Sequence, residues 1–163
     1  MKIEDPVLKA LNVQANHEFV SAYMYLSISY DMAQLGLKGF AHWLRVQYEE
    51  EREHAFKILS YIEERGGQVE LLAVPPFAKK MDCPLEAAKA VLAHEQAVTG
   101  GIHKLYALAR SENDYATEIF LQWFVTEQIE EEANAQELVD KFTCANQNPG
   151  AVHHIDGALG ARQ

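Results

Sequence analysis

The sequence has little of what punctuates a chain. Only 9 glycines and 5 prolines occur among 163 residues, too few for the many tight turns that a sandwich or barrel of short strands requires. There are 2 cysteines, Cys83 and Cys144, with no Cys-x-x-Cys pairing. Neither a disulfide framework nor a thiolate zinc or rubredoxin-type iron site is supported, and both cysteines are expected to be reduced thiols. Basic residues are scarce as well. Against 24 Asp and Glu there are 14 Lys and Arg, a formal net charge of -10, the wrong sign for gripping nucleic-acid phosphates or an anionic membrane. No apolar run approaches the ~18 residues of a spanning helix, and the opening MKIEDPVLKA lacks the apolar centre of a secretory signal. The expectation is a cytoplasmic protein with neither nucleic acid nor membrane as partner.

What is present is uninterrupted helix-forming sequence. A composition of 48% hydrophobic and 23% charged residues fits one globular domain over 1–163, long enough to bury a sizeable core. Asp5-Pro6 is a cap-then-proline start, and no Gly or Pro follows until Gly36, which predicts one helix from 6 to about 35. A second stretch runs from Lys38 to Arg65, where Gly66-Gly67 supplies a stop. A third opens at Cys83-Pro84 and continues through the tolerated pair Gly100-Gly101 to Ser111; Asn113 or Asp114 caps a fourth that ends near Thr143. A short C-terminal helix is predicted from about 149 to 160. Residues 67–82, with Val74-Pro75-Pro76-Phe77, are extended and long enough to cross the length of a bundle. The expected fold is all-α: a four-helix bundle over about 5–144 with one long crossover, plus a short fifth helix.

The 4-3-4-3 spacing of a bundle seam, laid on each predicted helix, exposes a repeated fault. The first stripe reads Leu11, Ala15, Glu18, Ala22, Tyr25, Ser29, and the second Phe40, Leu44, Gln47, Glu51, His54, Ile58, Tyr61. The third reads Leu85, Ala88, Leu92, Glu95, Thr99, Ile102, Tyr106, and the fourth Phe120, Phe124, Glu127, Glu131, Asn134, Leu138. Each stripe is broken mid-helix by acid. In an antiparallel bundle the midpoints meet at one level, so Glu18, Glu51, His54, Glu95, Glu127 and Glu131 converge in the interior. Burying one ionised group uncompensated costs several kcal/mol, and Lys and Arg are nearly absent from these stripes. Positive charge must come from elsewhere. Carboxylate oxygen with one imidazole is the ligand set of iron or manganese, which points to a two-metal carboxylate site. Glu51-x-x-His54 places an oxygen and a nitrogen donor one turn apart, and Glu127-x-x-Glu130-Glu131 does the same with oxygens. His17, His42, His94 and His103 lie beside the seams, and His153-His154 falls in the C-terminal segment.

Glu18, then Glu51-Arg52-Glu53-His54, then His94-Glu95-Gln96, then Thr126-Glu127-Gln128-Ile129-Glu130-Glu131 closely resemble prokaryotic non-haem ferritin in order and spacing, over essentially the whole chain. The resemblance implies iron storage by a ferroxidase that oxidises Fe(II) with O2 or H2O2 and deposits ferric mineral in a hollow shell of 24 subunits. It implies a first iron at Glu18, Glu51 and His54, with Glu51 bridging to a second iron that also meets Glu95 and Glu131. A third iron would use Glu50, Glu127 and Glu130, again with Glu131. Gln128 would place a polar amide beside the pair. Tyr25 matches the family's tyrosine near the iron, where it would hydrogen-bond a ligand or lend an electron; a plain core tyrosine is the alternative. Departures separate relatives. Bacterioferritin carries a second Glu-x-x-His where this chain has Glu130, and a haem-ligating Met where it has Arg52, so no haem is expected. Animal ferritins set two acids one turn apart on the fourth helix, where this chain has Glu118 and Leu121. Two other readings stay open from sequence: a di-metal oxidase or peroxidase acting on a small substrate, and a helical assembly protein with incidental buried acids.

Overall fold

The computed structural model describes residues 2–161. Five helices follow one another: α1 (Asp5–Gln34), α2 (Lys38–Glu64), α3 (Pro84–Ser111), α4 (Tyr115–Ala145) and α5 (Pro149–Leu159). The boundaries follow local chemistry. Pro occupies the first turn of α1, α3 and α5, where its missing N–H costs no hydrogen bond. Asp114 caps α4 by accepting from Thr117 N at 3.1 Å, and Asn148 caps α5 by accepting from Ala151 N at 3.1 Å. At the end of α2, Gly66 takes a φ of +68° while Gly67 N donates to Ile62 O at 2.8 Å, the left-handed stop expected of that pair. The cap of α1 differs from expectation. Asp5 is the first helical residue, Glu4 stands at the cap position, and its side chain makes no capping bond.

α1 and α2 form one hairpin and α3 and α4 the other, and α1 packs against α3. Among the described residues no Cα of α2 comes within 8 Å of one in α4. That wider seam is bridged by long side chains. Gln47 Nε2 donates to Glu131 Oε2 at 3.1 Å, the Tyr61 and Phe120 rings stack 3.9 Å apart, and Arg65 Nη2 meets Asp114 Oδ1 at 3.1 Å. The crossover between α2 and α3 is fastened to α1 at both ends. Asn12 takes Glu70 N at 2.8 Å and donates to Gln68 O at 3.0 Å, while Asp31 accepts from Met81 N at 2.9 Å.

α5 folds back against the start of α2. No side chain of the preceding turn caps α2; instead Asp156 of α5 accepts from Phe40 N at 2.7 Å, an acid at the positive end of a helix dipole. The approach is close enough to require glycine, because a Cβ at Gly39 would stand 1.8 Å from Asp156 O.

Two apolar clusters fill the bundle's ends. One gathers Tyr25, Ile28, Met32, Phe40, Leu44, Val91 and Leu138; the other gathers Val7, Leu11, Ile58, Ile62, Ile102 and Leu121. The acids of the four stripes lie between them.

Candidate metal centre

Each helix brings its acid to the same buried level. Glu18, Glu51, Glu95 and Glu131 are 5% exposed or less, and His54 6%. Burial of this kind is enforced by the neighbours along each helix, since Ala15 and Ala22 flank Glu18, and Ala55 and Ile58 follow His54 into the core. The donor atoms fall into two groups that share the imidazole. One donor atom from each of Glu18, Glu51 and His54 lies within 4.8 Å of the others, and the same holds for His54, Glu127 and Glu131.

The electrostatics are those of an incomplete site. Burial pushes the Glu18 carboxyl well above the ordinary range, and the neighbouring Glu51 adds to it; Gln14 opposes the shift. Glu51 is driven up by burial and by the negative charges of Glu95 and Glu131. Glu95 is also raised, chiefly by burial, although Tyr25 and Gln128 donate to it. The charges acting most strongly on these acids are therefore one another and His54. Glu51 Oε2 is buried and has no hydrogen-bond partner. His54 Nδ1 is 3.6 Å from it, too far for a hydrogen bond. A buried carboxylate oxygen left in this way costs free energy that a cation would recover, so the donor set fits a metal.

The other residues expected from sequence take distinct places. Tyr25 is fully buried and donates to Glu95 Oε1 at 2.6 Å; burial and the negative charge of Glu95 push its phenol well above its usual value. Gln128 donates to Glu95 Oε2 at 3.3 Å and to Thr99 Oγ1 at 3.2 Å, and Thr99 donates onward to Glu132 Oε1 at 2.5 Å. Glu50 and Glu127 line a cavity of about 460 Å³ on the α2–α4 seam, with His54 and Trp123 in its wall. Glu130 is solvent-exposed and belongs to neither donor group. Arg52 turns away from the cluster to pair with Glu49 and lie against the Tyr48 ring.

Three further side chains contribute to the site. Gln14 donates to Glu18 Oε1 at 2.9 Å. Gln47, on the seam stripe of α2, donates to Glu131. Trp123 packs edge-on against His54, ring centres 5.3 Å apart, with the Lys57 ammonium 4.0 Å over its face. An amide placed four residues before a buried acid, as Gln14 is before Glu18, is the one signal that was available.

A bundle whose four helices each deliver an acid to one buried level, around a single imidazole, defines a carboxylate–histidine metal-binding bundle. Comparison with known proteins agrees: the ferritin family, described as a ferritin-like domain, matches residues 8–145. The chain is 38% identical over 160 residues to a bacterial non-heme ferritin of Bacteroides fragilis, covering 98% of this chain and 99% of that one. It is 38% identical over 156 residues to the bacterial non-heme ferritin of Staphylococcus aureus, covering 96% and 94%. Among solved structures, an open pore ferritin from the archaeon Archaeoglobus fulgidus superposes with a TM-score of 0.98 at 44% identity, covering 99% of this chain and 100% of that one. The chain belongs to the ferritin family.

Proposed function

We propose that this protein stores iron, and that the buried cluster oxidises Fe(II) on the way to the store. The observation that carries the proposal is the buried Glu51 Oε2, which has no hydrogen-bond partner and lies among other buried acids. Glu18, Glu51 and His54 would hold one Fe(II). Glu51 would reach across to a second, held also by Glu95 and Glu131. Two irons are needed because each gives one electron: two Fe(II), O2 and two protons become two Fe(III) and hydrogen peroxide. The protein's part is to fix the oxygen and nitrogen donors in place and to surrender the carboxyl protons as iron arrives. Tyr25, donating to Glu95, would orient that carboxylate. Glu127, Glu50 and Glu130, with Glu131, would take a third iron on the side facing the α2–α4 cavity.

Storage requires an enclosed volume, which one chain lacks, so the working form would be a hollow shell of 24 copies in the cytoplasm. No helix among the described residues is long and apolar enough to cross a membrane. Aerobic addition of Fe(II) to the purified protein tests the function. Soluble uptake of far more iron than three per chain, by a particle of 24-subunit mass in analytical ultracentrifugation, is the expected result; uptake that stops at two or three per chain would leave an oxidase without a store. Arg52 offers a guanidinium, with no lone pair for iron, where a haem ligand would stand. Protein from haem-replete cells should consequently show no Soret band.

A further inference from the structure

Gly100 and Gly101 sit side by side in the middle of α3, and their surroundings differ. A Cβ at Gly100 would meet nothing within 4 Å, whereas one at Gly101 would stand 2.9 Å from Gln14 Oε1, nearer than two such atoms rest without repulsion. That oxygen belongs to the amide whose Nε2 donates to Glu18 Oε1 at 2.9 Å. As an iron ligand Glu18 would be an ionised carboxylate, which accepts and does not donate, so the amide turns its nitrogen to Glu18 and its oxygen to Gly101. Gln14 is itself buried, 3% exposed, which leaves the amide little other room.

We infer that Gly101 and Gln14 are a positioning pair for Glu18: the hydrogen in place of a side chain at 101 makes the space in which the Gln14 amide lies while it holds the carboxylate. The obstruction a methyl would create falls on the far end of a flexible side chain, not on backbone. Alanine at 101 would therefore displace the amide and leave the helices where they are. Gly39 is the opposite case, since there the collision is with the backbone of α5. The inference rests on the proposed role of Glu18 as an iron ligand. Groups that hold a metal ligand from behind fix its orientation, and their loss typically weakens metal binding about 10- to 100-fold.

The test is anaerobic Fe(II) titration of the assembled protein by calorimetry, alongside thermal unfolding of the metal-free form. Gly101→Ala should weaken the tightest Fe(II) step by about 10- to 100-fold while melting at or above the wild-type temperature, since alanine is the better helix former. Gln14→Met, which keeps length and removes the donor, should weaken the same step to the same degree. The double variant should be no weaker than either single, because both act through one hydrogen bond. Gly100→Ala should bind as the wild type does. Wild-type binding in Gly101→Ala, equal weakening in Gly100→Ala, or multiplied losses in the double variant would each overturn the pairing. A wild-type protein that takes up no Fe(II) would overturn the assignment of Glu18, and the pairing with it.

Discussion

The ends of the bundle and its waist are built on one helical register, yet they do opposite things to stability. At the ends, Ile58, Ile62, Ile102 and Leu121 lie in apolar company, and at the other end so do Ile28, Phe40 and Leu44. Burying such side chains stabilises by about 1.5–3 kcal/mol each. One turn away, the same seam positions hold Glu18, Glu51, His54, Glu95 and Glu131, where burial raises the pKa of Glu18, Glu51 and Glu95. The ends offset what the waist costs. This division keeps the donor atoms assembled before any metal arrives.

The sharpest break of that comparison is at the boundary, where His54 and Ile58 occupy successive turns of α2. His54→Ala or Glu51→Ala should abolish fast Fe(II) oxidation in stopped-flow absorbance, while metal-free Glu51→Ala melts at or above the wild-type temperature because crowded acid has been removed. Ile58→Ala should do the reverse, costing about 2–5 kcal/mol in thermal or denaturant unfolding while each folded chain still oxidises iron. A lowered melting temperature for Glu51→Ala, with oxidation intact, would refute the division.

Within the waist, Glu131 and Glu130 differ in the same sense. Glu131 is 5% exposed and grouped with His54 and Glu127, whereas Glu130 faces solvent. Glu131→Ala should slow the initial oxidation, and Glu130→Ala should spare it and alter only the stoichiometry or later turnover. An iron titration of Glu130→Ala that matched the wild type in every phase would remove support for a third site.

A smaller effect is expected where α5 meets α2. Asp156→Ala deletes the acceptor for Phe40 N and should cost about 1 kcal/mol in unfolding experiments. Gly39→Ala should cost more, because the 1.8 Å approach to Asp156 O forces α5 off its seat; increased proteolysis near residues 146–148 would report the displacement. Oxidation in either variant should proceed at the wild-type rate.

The least effect is expected from pH, and its sign distinguishes waist from end. Glu51 has its pKa raised on folding, so its carboxyl favours the fold at low pH and loses that contribution as pH rises from about 4.5 through the raised value. Asp114 behaves oppositely. Burial would push it up, but hydrogen bonds from Thr117 and the Arg65 guanidinium outweigh that and hold it low, so its contribution is present above about 3.8 and is lost as pH falls through the lowered value. In thermal melts of metal-free protein, Glu51→Gln should gain on the wild type as pH rises toward 8. Asp114→Asn should lag most at neutral pH and least in acid. Parallel pH profiles for the two variants would contradict both assignments.

The sequence by itself determined a great deal here, because its signals are local or periodic. Helix ends fall within two residues of Pro6, Gly36, Gly66 and Pro84, positions set by backbone stereochemistry, and the seam acids stand out because an ionised group at an apolar period has no other reason to be there. What a period reports is a face, not the neighbour across it. Only the tertiary structure decided that Asp156 caps α2 across 116 residues, and that Gln47 donates to Glu131. Likewise it alone grouped Glu127 with His54 while leaving Glu130 in solvent. Two adjacent glycines in α3 look alike in the chain; one faces open space and the other Gln14, a distinction that exists only once α1 and α3 are packed, since steric room belongs to the pair of helices and to neither sequence alone.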